Sequence, residues 1–279
     1  MIKGSTDIYA VIGDPVEHSL SPLMQNYLIK LFDLDAVYAA CHVRSKDLKT
    51  ALAGLQALNI KGINVTLPHK IKVRAFCRTV SKDVETLGAA NTITPDETGL
   101  CADVTDHAGF LESLGDRQSL FRGNAVCMLG AGGAARSILY ALSQLEVDRV
   151  SIYNRTRENA EQLIREAAQS FGFTSAESVA QSELNRTIES SSIVINTTSV
   201  GMHPHIEATL CGDDAPFSRR HFVYDLIYNP LQTRLLRTAK SKGAFVQNGL
   251  DMLIFQGLQS LRIWTGQNLQ ADAGATKRM

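Results

Sequence analysis

Residues 125–138 read AVCMLGAGGAARSI, and this stretch decides the fold of the second half of the chain. An apolar run, Ala125–Leu129, leads into a glycine-rich turn and then into a helical pattern. The turn matches the G-x-G-x-x-A form of the dinucleotide-binding fingerprint in the strand–turn–helix context that the fingerprint requires. Gly130 permits the tight turn, Gly132 lets the backbone approach a pyrophosphate, and the small Ala135 lets the helix pack close to the sheet. The N–H groups at the helix start can then bind the pyrophosphate, so the stretch predicts a cofactor-binding α/β unit.

The end of the next strand discriminates between the two nicotinamide cofactors. NAD-binding folds usually place an acidic residue there, about 20 residues after the glycines, to bind the ribose 2′-hydroxyl. Here the strand ends in Asn154, Arg155, Thr156 and Arg157, with no acid at its tip. An arginine offers a charged planar fork for a 2′-phosphate, although both arginines are equally acceptable as solvated side chains. The missing acid and the arginines together favour NADP over NAD.

The rest of the chain alternates short apolar runs with helical patterns. Strands separated by single helices predict parallel sheets that are covered on both faces, and therefore an α/β fold. Candidate strands are Tyr9–Ile12, Val37–Val43, Gly62–Thr66, Ala125–Leu129, Val150–Tyr153, Ile193–Asn196 and Val223–Leu226, and candidate helices include Leu23–Phe32, Leu48–Leu58, Ala134–Leu145 and Arg157–Ala168. Residues 91–104, NTITPDETGLCADV, predict a hairpin with PDETG as its turn. The polar stretch that follows predicts a domain boundary between Leu100 and Arg122.

Composition excludes several classes of protein. Of the 279 residues 44% are hydrophobic, and 28 basic residues balance 28 acidic ones without a basic run, so nucleic acid and anionic membranes are not expected partners. No apolar stretch approaches the roughly 20 residues of a membrane-spanning helix, and the N-terminus lacks the apolar region of a signal peptide. The five cysteines are odd in number and contain no C-x-x-C pair, which is typical of the reducing cytoplasm. The HPH run at 203–205 is interpreted as a polar loop, and no metal site is predicted.

A lysine at the end of GINVTLPHK, residues 62–70, is the first candidate for chemistry. The apolar strand ends at a proline, and the spacing of Ile71, Ala75 and Val80 predicts a helix beyond it. Lys70 would then lie in the first turn, where the positive end of the helix favours loss of its proton. This environment suits acid/base chemistry, and a solvated surface lysine is the alternative.

In combination, the motifs resemble the shikimate dehydrogenase family over nearly the whole chain. They are VIGDPVEHSLSP (11–22), NVTLPHK (64–70), GAANTI (88–93), TDHAGF (105–110), GAGGAAR (130–136), NRT (154–156), NTTSVGM (196–202), YDLIYNP (224–230) and NGLDMLIFQ (248–256). The resemblance implies an N-terminal α/β substrate-binding domain at 1–106 plus 249–279, a Rossmann-type NADP-binding domain at 107–248, and an active site in the cleft between them. It also implies the reversible reduction of 3-dehydroshikimate to shikimate by NADPH, a step toward aromatic amino acids. The neutral charge balance permits a monomer, and a monomer or homodimer is expected.

The resemblance assigns roles to individual residues. Lys70 matches the family's catalytic lysine and Asp106 its aspartate partner. Matches to substrate-contacting positions are Ser19, Ser21, Thr66, Asn91, Tyr228 and Gln256, and the predicted cofactor-binding residues are Gly130, Ala131, Gly132, Gly133, Ala134, Asn154, Arg155, Thr156, Arg157, Thr197 and Gly249. Ser21, before Pro22 and a helix, is equally well interpreted as an N-cap.

Three departures from the family pattern involve four positions. Val104 and His107 stand where the family usually has Asn and Gly around its aspartate, Gln25 replaces a frequent His, and Asn159 replaces a frequent basic residue. These departures leave open a paralogue that acts on quinate, with NADP or NAD, or on an aminated analogue. A catalytically silent NADP-binding regulator is a further alternative, which the presence of both Lys70 and Asp106 disfavours.

Overall fold

The chain was analysed as a computed structural model that describes residues 2–271. The described residues form two compact units, 2–109 with 254–271, and Phe110–Leu253. Residues 272–279, which the resemblance assigns to the substrate-binding domain, lie outside the described part. No helix within residues 2–271 is both long and apolar enough to cross a membrane.

The first unit is built on a mixed sheet with strand order β2-β1-β3-β5-β6-β4. Its elements within the described residues are β1 (Asp7–Gly13), α1 (Ser21–Leu31), β2 (Ala36–His42), α2 (Leu48–Ala57), β3 (Gly62–Val65), β4 (Thr79–Val80), α3 (Lys82–Leu87), β5 (Thr92–Asp96), β6 (Gly99–Asp103), the start of α4 (Asp106–Leu114) and most of α9 (Leu250–Thr265). The predicted hairpin is confirmed, because β5 and β6 pair antiparallel from Asp96 opposite Gly99. Strands β1 and β3 are parallel, whereas β5 runs antiparallel to β3. The carboxyl ends of β1, β3 and β6 and the amino end of β5 therefore lie at one edge of the sheet.

The C-terminal helix α9 packs on this first sheet through its only tryptophan. The ring of Trp264 stacks on Tyr9 with 4.9 Å between centroids, and its Nε1 donates to the carbonyl oxygen of Ile93 at 3.2 Å. A Cβ on Gly62 would lie 2.3 Å from the indole nitrogen, so the strand needs glycine here for the indole to approach. The apolar spacing of the helix did not indicate this partner.

The prediction of a helix after Lys70 is wrong. The chain forms only a short 3-10 helix, Lys72–Phe76, and Cys77 is already extended. The predicted apolar face is not buried, because Ile71 is 69% exposed and Ala75 is exposed as well, whereas the buried residue of this segment is Val73. Val80 lies in β4, which pairs with β6. Strand pairing has therefore overridden the local helical spacing, and Lys70 lies in a turn rather than at the start of a long helix.

The second unit is a doubly wound parallel sheet with strand order β12-β11-β10-β7-β8-β9. Its elements are the rest of α4, β7 (Ala125–Leu129), α5 (Gly133–Gln144), β8 (Arg149–Tyr153), α6 (Arg157–Phe171), β9 (Ala176–Val179), α7 (Leu184–Ser190), β10 (Ile193–Asn196), β11 (Phe222–Asp225), α8 (Arg234–Ser241), β12 (Phe245–Gln247) and the start of α9. Each pair of neighbouring strands in this sheet is parallel. This is the Rossmann strand order, with the switch point between β7 and β10, where ligands bind beyond the carboxyl ends of the strands. The predicted α/β fold with a Rossmann-type domain is confirmed.

Successive residues of the central strand β7 belong to two different hydrophobic clusters. Val126 and Met128 pack in the cluster that includes α5 and α6. Cys127 and Leu129 pack in the cluster that includes α7 and α8. Because side chains alternate across a strand, both faces of the sheet are covered, which explains why the strand is an uninterrupted apolar run.

Candidate active site

Lys70 and Asp106 form an ion pair in the first unit, with 2.7 Å between Nζ and Oδ2. Their side chains are 30% and 17% exposed, so the pair is only partly shielded from water. Asp106 is the first residue of α4, where a carboxylate is favoured by the positive end of the helix. The turn that carries Lys70 is held by the buried ring of His69, whose Nε2 is 2.6 Å from the carbonyl oxygen of Val43. The structure thus brings together the two predicted catalytic residues.

Asn91, at the amino end of β5, holds the second oxygen of the Asp106 carboxylate. Its Nδ2 lies 3.0 Å from Asp106 Oδ1 and 3.3 Å from Gln256 Oε1. Its Oδ1 accepts from the backbone N–H of Thr105 at 2.9 Å, and this donor fixes which end of the amide faces the carboxylate. Lys70 and Asn91 therefore hold one Asp106 oxygen each, and the predicted residues Asn91 and Gln256 belong to the same cluster.

A buried polar network behind Asn91 was missed by the sequence analysis. Asn64 Nδ2 donates to the carbonyl oxygen of Asn91 at 3.1 Å and to Ser260 Oγ at 2.9 Å. The Tyr38 hydroxyl donates to Asn64 Oδ1 at 2.7 Å, and burial raises the pKa of this tyrosine well above its ordinary value. The sequence does contain a signal for this network, namely the polar Asn64 inside the otherwise apolar strand GINV. A buried amide needs hydrogen-bond partners, so its presence indicates further polar residues nearby. The network joins β2, β3 and α9 to the strand that carries Asn91.

The serines of the predicted carboxylate site lie at the start of α1. Leu20, not Ser21, is the N-cap, and no side chain caps this helix. The predicted capping role of Ser21 is therefore wrong, since Ser21 is already helical. Instead, the hydroxyl of Ser19 accepts from the backbone N–H of Ser21 at 3.2 Å. Both serines are half-buried, as is Thr66, which follows β3 at the same edge of the sheet.

The residues that depart from the family pattern have structural partners. His107 Nε2 lies 3.2 Å from Asp83 Oδ2 of α3. Burial lowers the pKa of His107, and the carboxylates of Asp83 and Asp106 oppose this shift. Gln25 is fully buried, and its Nε2 donates to the carbonyl oxygen of Gly257 in α9 at 3.1 Å. Both substitutions therefore connect helices of the first unit.

The glycine-rich turn of the second unit has the geometry of a phosphate-binding loop. Gly130 has a φ of 108°, and a Cβ there would lie 2.5 Å from Thr198 Cγ2 and 2.8 Å from Thr197 Oγ1. Gly132 is the N-cap of α5, and no atom of residues 2–271 other than its chain neighbours and its own helix lies within 4 Å of the position of its missing Cβ. The first N–H groups of a helix have no acceptor within the helix, and residues 132–134 are exposed. Ala135 is fully buried, so its small side chain lets α5 pack against the sheet.

A cavity of about 340 Å³ opens beside this turn. It is lined by Gly130, Tyr153, Asn154, Arg155, Thr156, Asn159, Thr198, Ser199, Val200 and Leu210. Asn154 shapes one wall, because its Oδ1 accepts from the Ala131 N–H at 3.1 Å and its Nδ2 donates to the Thr156 carbonyl at 2.7 Å. Arg155 is exposed, whereas Arg157 forms an ion pair with Glu161 at 3.0 Å. The cavity therefore adjoins both the glycine turn and the strand tip that suggested NADP.

The sequence analysis missed the other wall of this cavity, residues 198–200. Their signal was available, since NTTSVGM begins at the end of β10, next to the switch point of the sheet. The neighbouring Thr197, a predicted cofactor residue, directs its hydroxyl to the carbonyl oxygen of Leu129 at 2.9 Å. Its side chain thereby ties the end of β10 to the end of β7.

Of the remaining predicted residues, Tyr228 lies beyond the end of β11 and Gly249 beyond the end of β12. The Gly249 N–H donates to the carbonyl oxygen of Ile227 at 3.1 Å. A Cβ at position 249 would lie 1.9 Å from the carbonyl oxygen of Leu226, so only glycine fits there. Tyr228 directly follows Ile227 and is half-buried. Burial raises the pKa of its hydroxyl.

Known proteins resemble both halves of this chain. The model of the shikimate dehydrogenase substrate binding domain matches residues 11–93, and that of shikimate / quinate 5-dehydrogenase matches residues 114–215. The shikimate dehydrogenase (NADP(+)) of Geobacillus kaustophilus is 39% identical over 268 residues, with 93% of either chain covered.

Solved structures show the same similarity. Shikimate 5-dehydrogenase from Thermus thermophilus, in complex with NADP(H) and shikimate, has a TM-score of 0.84 at 34% identity, over 98% of this chain and 97% of that one. Quinate dehydrogenase from Corynebacterium glutamicum, in complex with NAD, has a TM-score of 0.89 at 26% identity, over 98% of both chains. These matches confirm the predicted resemblance, and the chain belongs to the shikimate dehydrogenase family.

Proposed function

We propose that this chain is an NADP-dependent shikimate dehydrogenase, an oxidoreductase that interconverts 3-dehydroshikimate and shikimate. The observation that carries the proposal is the Lys70–Asp106 pair, 2.7 Å apart, in a unit that also presents the serine, threonine and amide side chains of the predicted substrate site. We assign substrate binding to the first unit and cofactor binding to the second. Its curated relative from Geobacillus kaustophilus is named for the same activity and cofactor.

The residues of the second unit fit a dinucleotide phosphate. The exposed start of α5 provides N–H groups for a pyrophosphate, and the positive φ of Gly130 permits the tight turn that leads into this helix. Arg155 provides the charge for a 2′-phosphate at the rim of the cavity, with Asn154 and Thr156 beside it. When bound, the nicotinamide supplies the hydride for reduction or accepts it in oxidation.

Lys70 acts as the general acid in reduction and as the general base in oxidation. Ketone reduction places negative charge on the carbonyl oxygen, which a proton donor at that oxygen relieves. The Asp106 carboxylate holds the ammonium group in place, and Asn91 holds the carboxylate by its other oxygen. This arrangement limits the rotation of both catalytic side chains, so the proton is held in one position.

Substrate recognition relies on short neutral side chains. A polyhydroxylated ring is bound well by groups that can both donate and accept hydrogen bonds, and the hydroxyls and amides of this unit do so. We assign the substrate carboxylate to Ser19 and Ser21, and the ring hydroxyls to Thr66, Asn91 and Gln256. Tyr228 of the second unit is assigned a further substrate contact.

Quinate is the second candidate substrate. The chain resembles a quinate dehydrogenase as well as shikimate dehydrogenases, and a buried His107 follows the proposed catalytic Asp106. We also propose a cytoplasmic location, because each of the five cysteines is a free thiol. A monomeric or homodimeric state and the lack of a nucleic-acid partner stay predictions.

The proposal is tested by initial rates of nicotinamide reduction in a grid that crosses shikimate and quinate with NADP and NAD. We expect shikimate with NADP to be the fastest pair by roughly tenfold or more in kcat/KM. The Lys70→Met variant, purified in parallel, shows how much of the measured rate comes from contaminating enzymes of the expression host. Comparable or better rates with quinate would reassign the substrate. Turnover with no pair, despite NADP binding, would support the regulator instead.

A further inference from the structure

Asp225, the last residue of β11, is a fully buried carboxylate that receives neutral hydrogen-bond donors. Its Oδ1 accepts from Asn196 Nδ2 at 2.9 Å and from the Ile227 N–H at 3.1 Å. Its Oδ2 accepts from the Thr233 hydroxyl at 2.6 Å. The predicted catalytic and binding residues do not include it, although it lies in the YDLIYNP motif.

The first donor, Asn196, is connected by hydrogen bonds to the wall of the cavity beside the glycine turn. Because Asn196 gives its Nδ2 to Asp225, its Oδ1 faces the other way and accepts from the Thr198 N–H at 3.0 Å and the Thr198 hydroxyl at 2.7 Å. The Thr198 hydroxyl in turn accepts from the Val200 N–H at 3.1 Å. Thr198 and Val200 both line the cavity beside the glycine turn. The bond to Asp225 thus fixes the orientation of the Asn196 amide, and the amide oxygen in turn holds the loop at 198–200.

The other two donors, the Ile227 N–H and the Thr233 hydroxyl, belong to different segments of the chain. The Ile227 N–H fixes the chain immediately before Tyr228. Thr233 is the N-cap of α8, where its hydroxyl also accepts from the Leu236 N–H at 3.3 Å. Donors approach both oxygens of Asp225, so an ionised carboxylate can accept from all three partners.

We propose that Asp225 is a positioning residue for NADP, which holds the loop at 198–200 against the cofactor cavity through Asn196. The inference rests on the proposed function, in which this cavity takes the dinucleotide. Asp225 itself touches neither cofactor nor substrate, because its carboxylate is buried behind the loop. Loss of the carboxylate should therefore weaken cofactor binding more than substrate binding, because Tyr228 is only one of the assigned substrate contacts.

The test compares Asp225→Ala, Asp225→Asn and Ile188→Ala with the wild-type chain. Ile188 is a fully buried residue of α7, so its truncation lowers the stability of the same unit without touching the loop. NADP affinity is measured by calorimetric titration, shikimate KM at saturating NADP, and stability by thermal unfolding. We expect Asp225→Ala to raise the Kd for NADP roughly tenfold or more and to raise the shikimate KM by a clearly smaller factor. Asp225→Asn, which keeps the shape and one acceptor, should restore part of the affinity.

Four results would overturn the inference. NADP affinity that is unchanged in Asp225→Ala would remove the positioning role, and an equal loss in Ile188→Ala would assign the effect to stability alone. If Asp225→Ala does not fold, Thr198→Val breaks the same chain of bonds at its far end, and unchanged affinity there has the same meaning. Wild-type protein that binds no NADP would instead overturn the proposed function, and the inference with it.

Discussion

Replacing Lys70 with Met removes one ammonium group and keeps an unbranched side chain at the same place. The proposed role makes this the most informative single change, because it separates acid/base chemistry from binding. The predicted cofactor residues lie in the other unit, so NADP affinity should be unchanged. Lys72→Met is the matched control, since Lys72 is exposed on the neighbouring 3-10 helix.

The expected magnitudes follow from the geometry of the pair. A positioned general acid contributes about 10²- to 10⁴-fold to turnover, so kcat should fall by that factor. Stability should change much less. Lys70 and Asp106 are 30% and 17% exposed, and in the variant Asp106 keeps the Asn91 donor at 3.0 Å. The free energy of unfolding should therefore fall by about 1 kcal/mol, closer to an exposed ion pair than to a fully buried one.

Steady-state kinetics with shikimate and NADP, calorimetric NADP binding and thermal unfolding give the three readouts. The reasoning is refuted if Lys70→Met keeps more than roughly a tenth of the wild-type kcat, a loss too small for general acid catalysis. It is also refuted if Lys72→Met loses as much activity as Lys70→Met, because the effect would then follow from general surface charge.

Three further changes test other parts of the structure. Arg155→Ala should weaken NADP binding about 10- to 100-fold and NAD binding little, because a charge-assisted bond to the 2′-phosphate is lost. Arg157→Ala should weaken the binding of both cofactors slightly and equally. Calorimetric titration of each variant with NADP and with NAD measures these effects. Gly249→Ala places a Cβ 1.9 Å from the Leu226 carbonyl oxygen, and thermal unfolding should show a midpoint roughly 5 °C lower or more. Burial raises the pKa of Asp225 from 3.8 to about 6, so its contribution to stability is present below about pH 4 and is lost as pH rises through 6. The stability of Asp225→Asn relative to wild type should therefore increase by about 3 kcal/mol between pH 4 and pH 7.5 in denaturant titrations, and a constant difference would contradict the raised pKa.

Much of the fold could be predicted because its signals are local. The strand–turn–helix at 125–138 requires a positive φ at Gly130 and an apolar run before it, and both requirements are written in adjacent residues. The β5–β6 hairpin is equally local, since its turn residues lie between the two paired strands. The same holds for the strand tip at Arg155, where the absence of an acid is visible without a structure.

Local spacing failed where a distant partner competed for the chain. The residues after Lys70 have helical spacing, yet β4 pairs with β6 instead, and the backbone N–H of Arg78 donates to the carbonyl oxygen of Leu100 at 2.8 Å. A periodicity seen in one segment contains no information about the strand edge that will meet it. Tertiary pairing therefore decided the conformation next to the proposed catalytic lysine.

The sequence by itself determined which side chains this chain offers for chemistry, namely Lys70, Asp106 and the glycine turn. Only the tertiary structure decided what holds them. Asn64 must have partners because it is buried, but its bond to Ser260 joins residues 196 positions apart. In the second unit the bond between Asn196 and Asp225 exists because two parallel strands end side by side. A buried polar group shows in the sequence that a partner is needed, and only the topology of the sheets determines which residue it is.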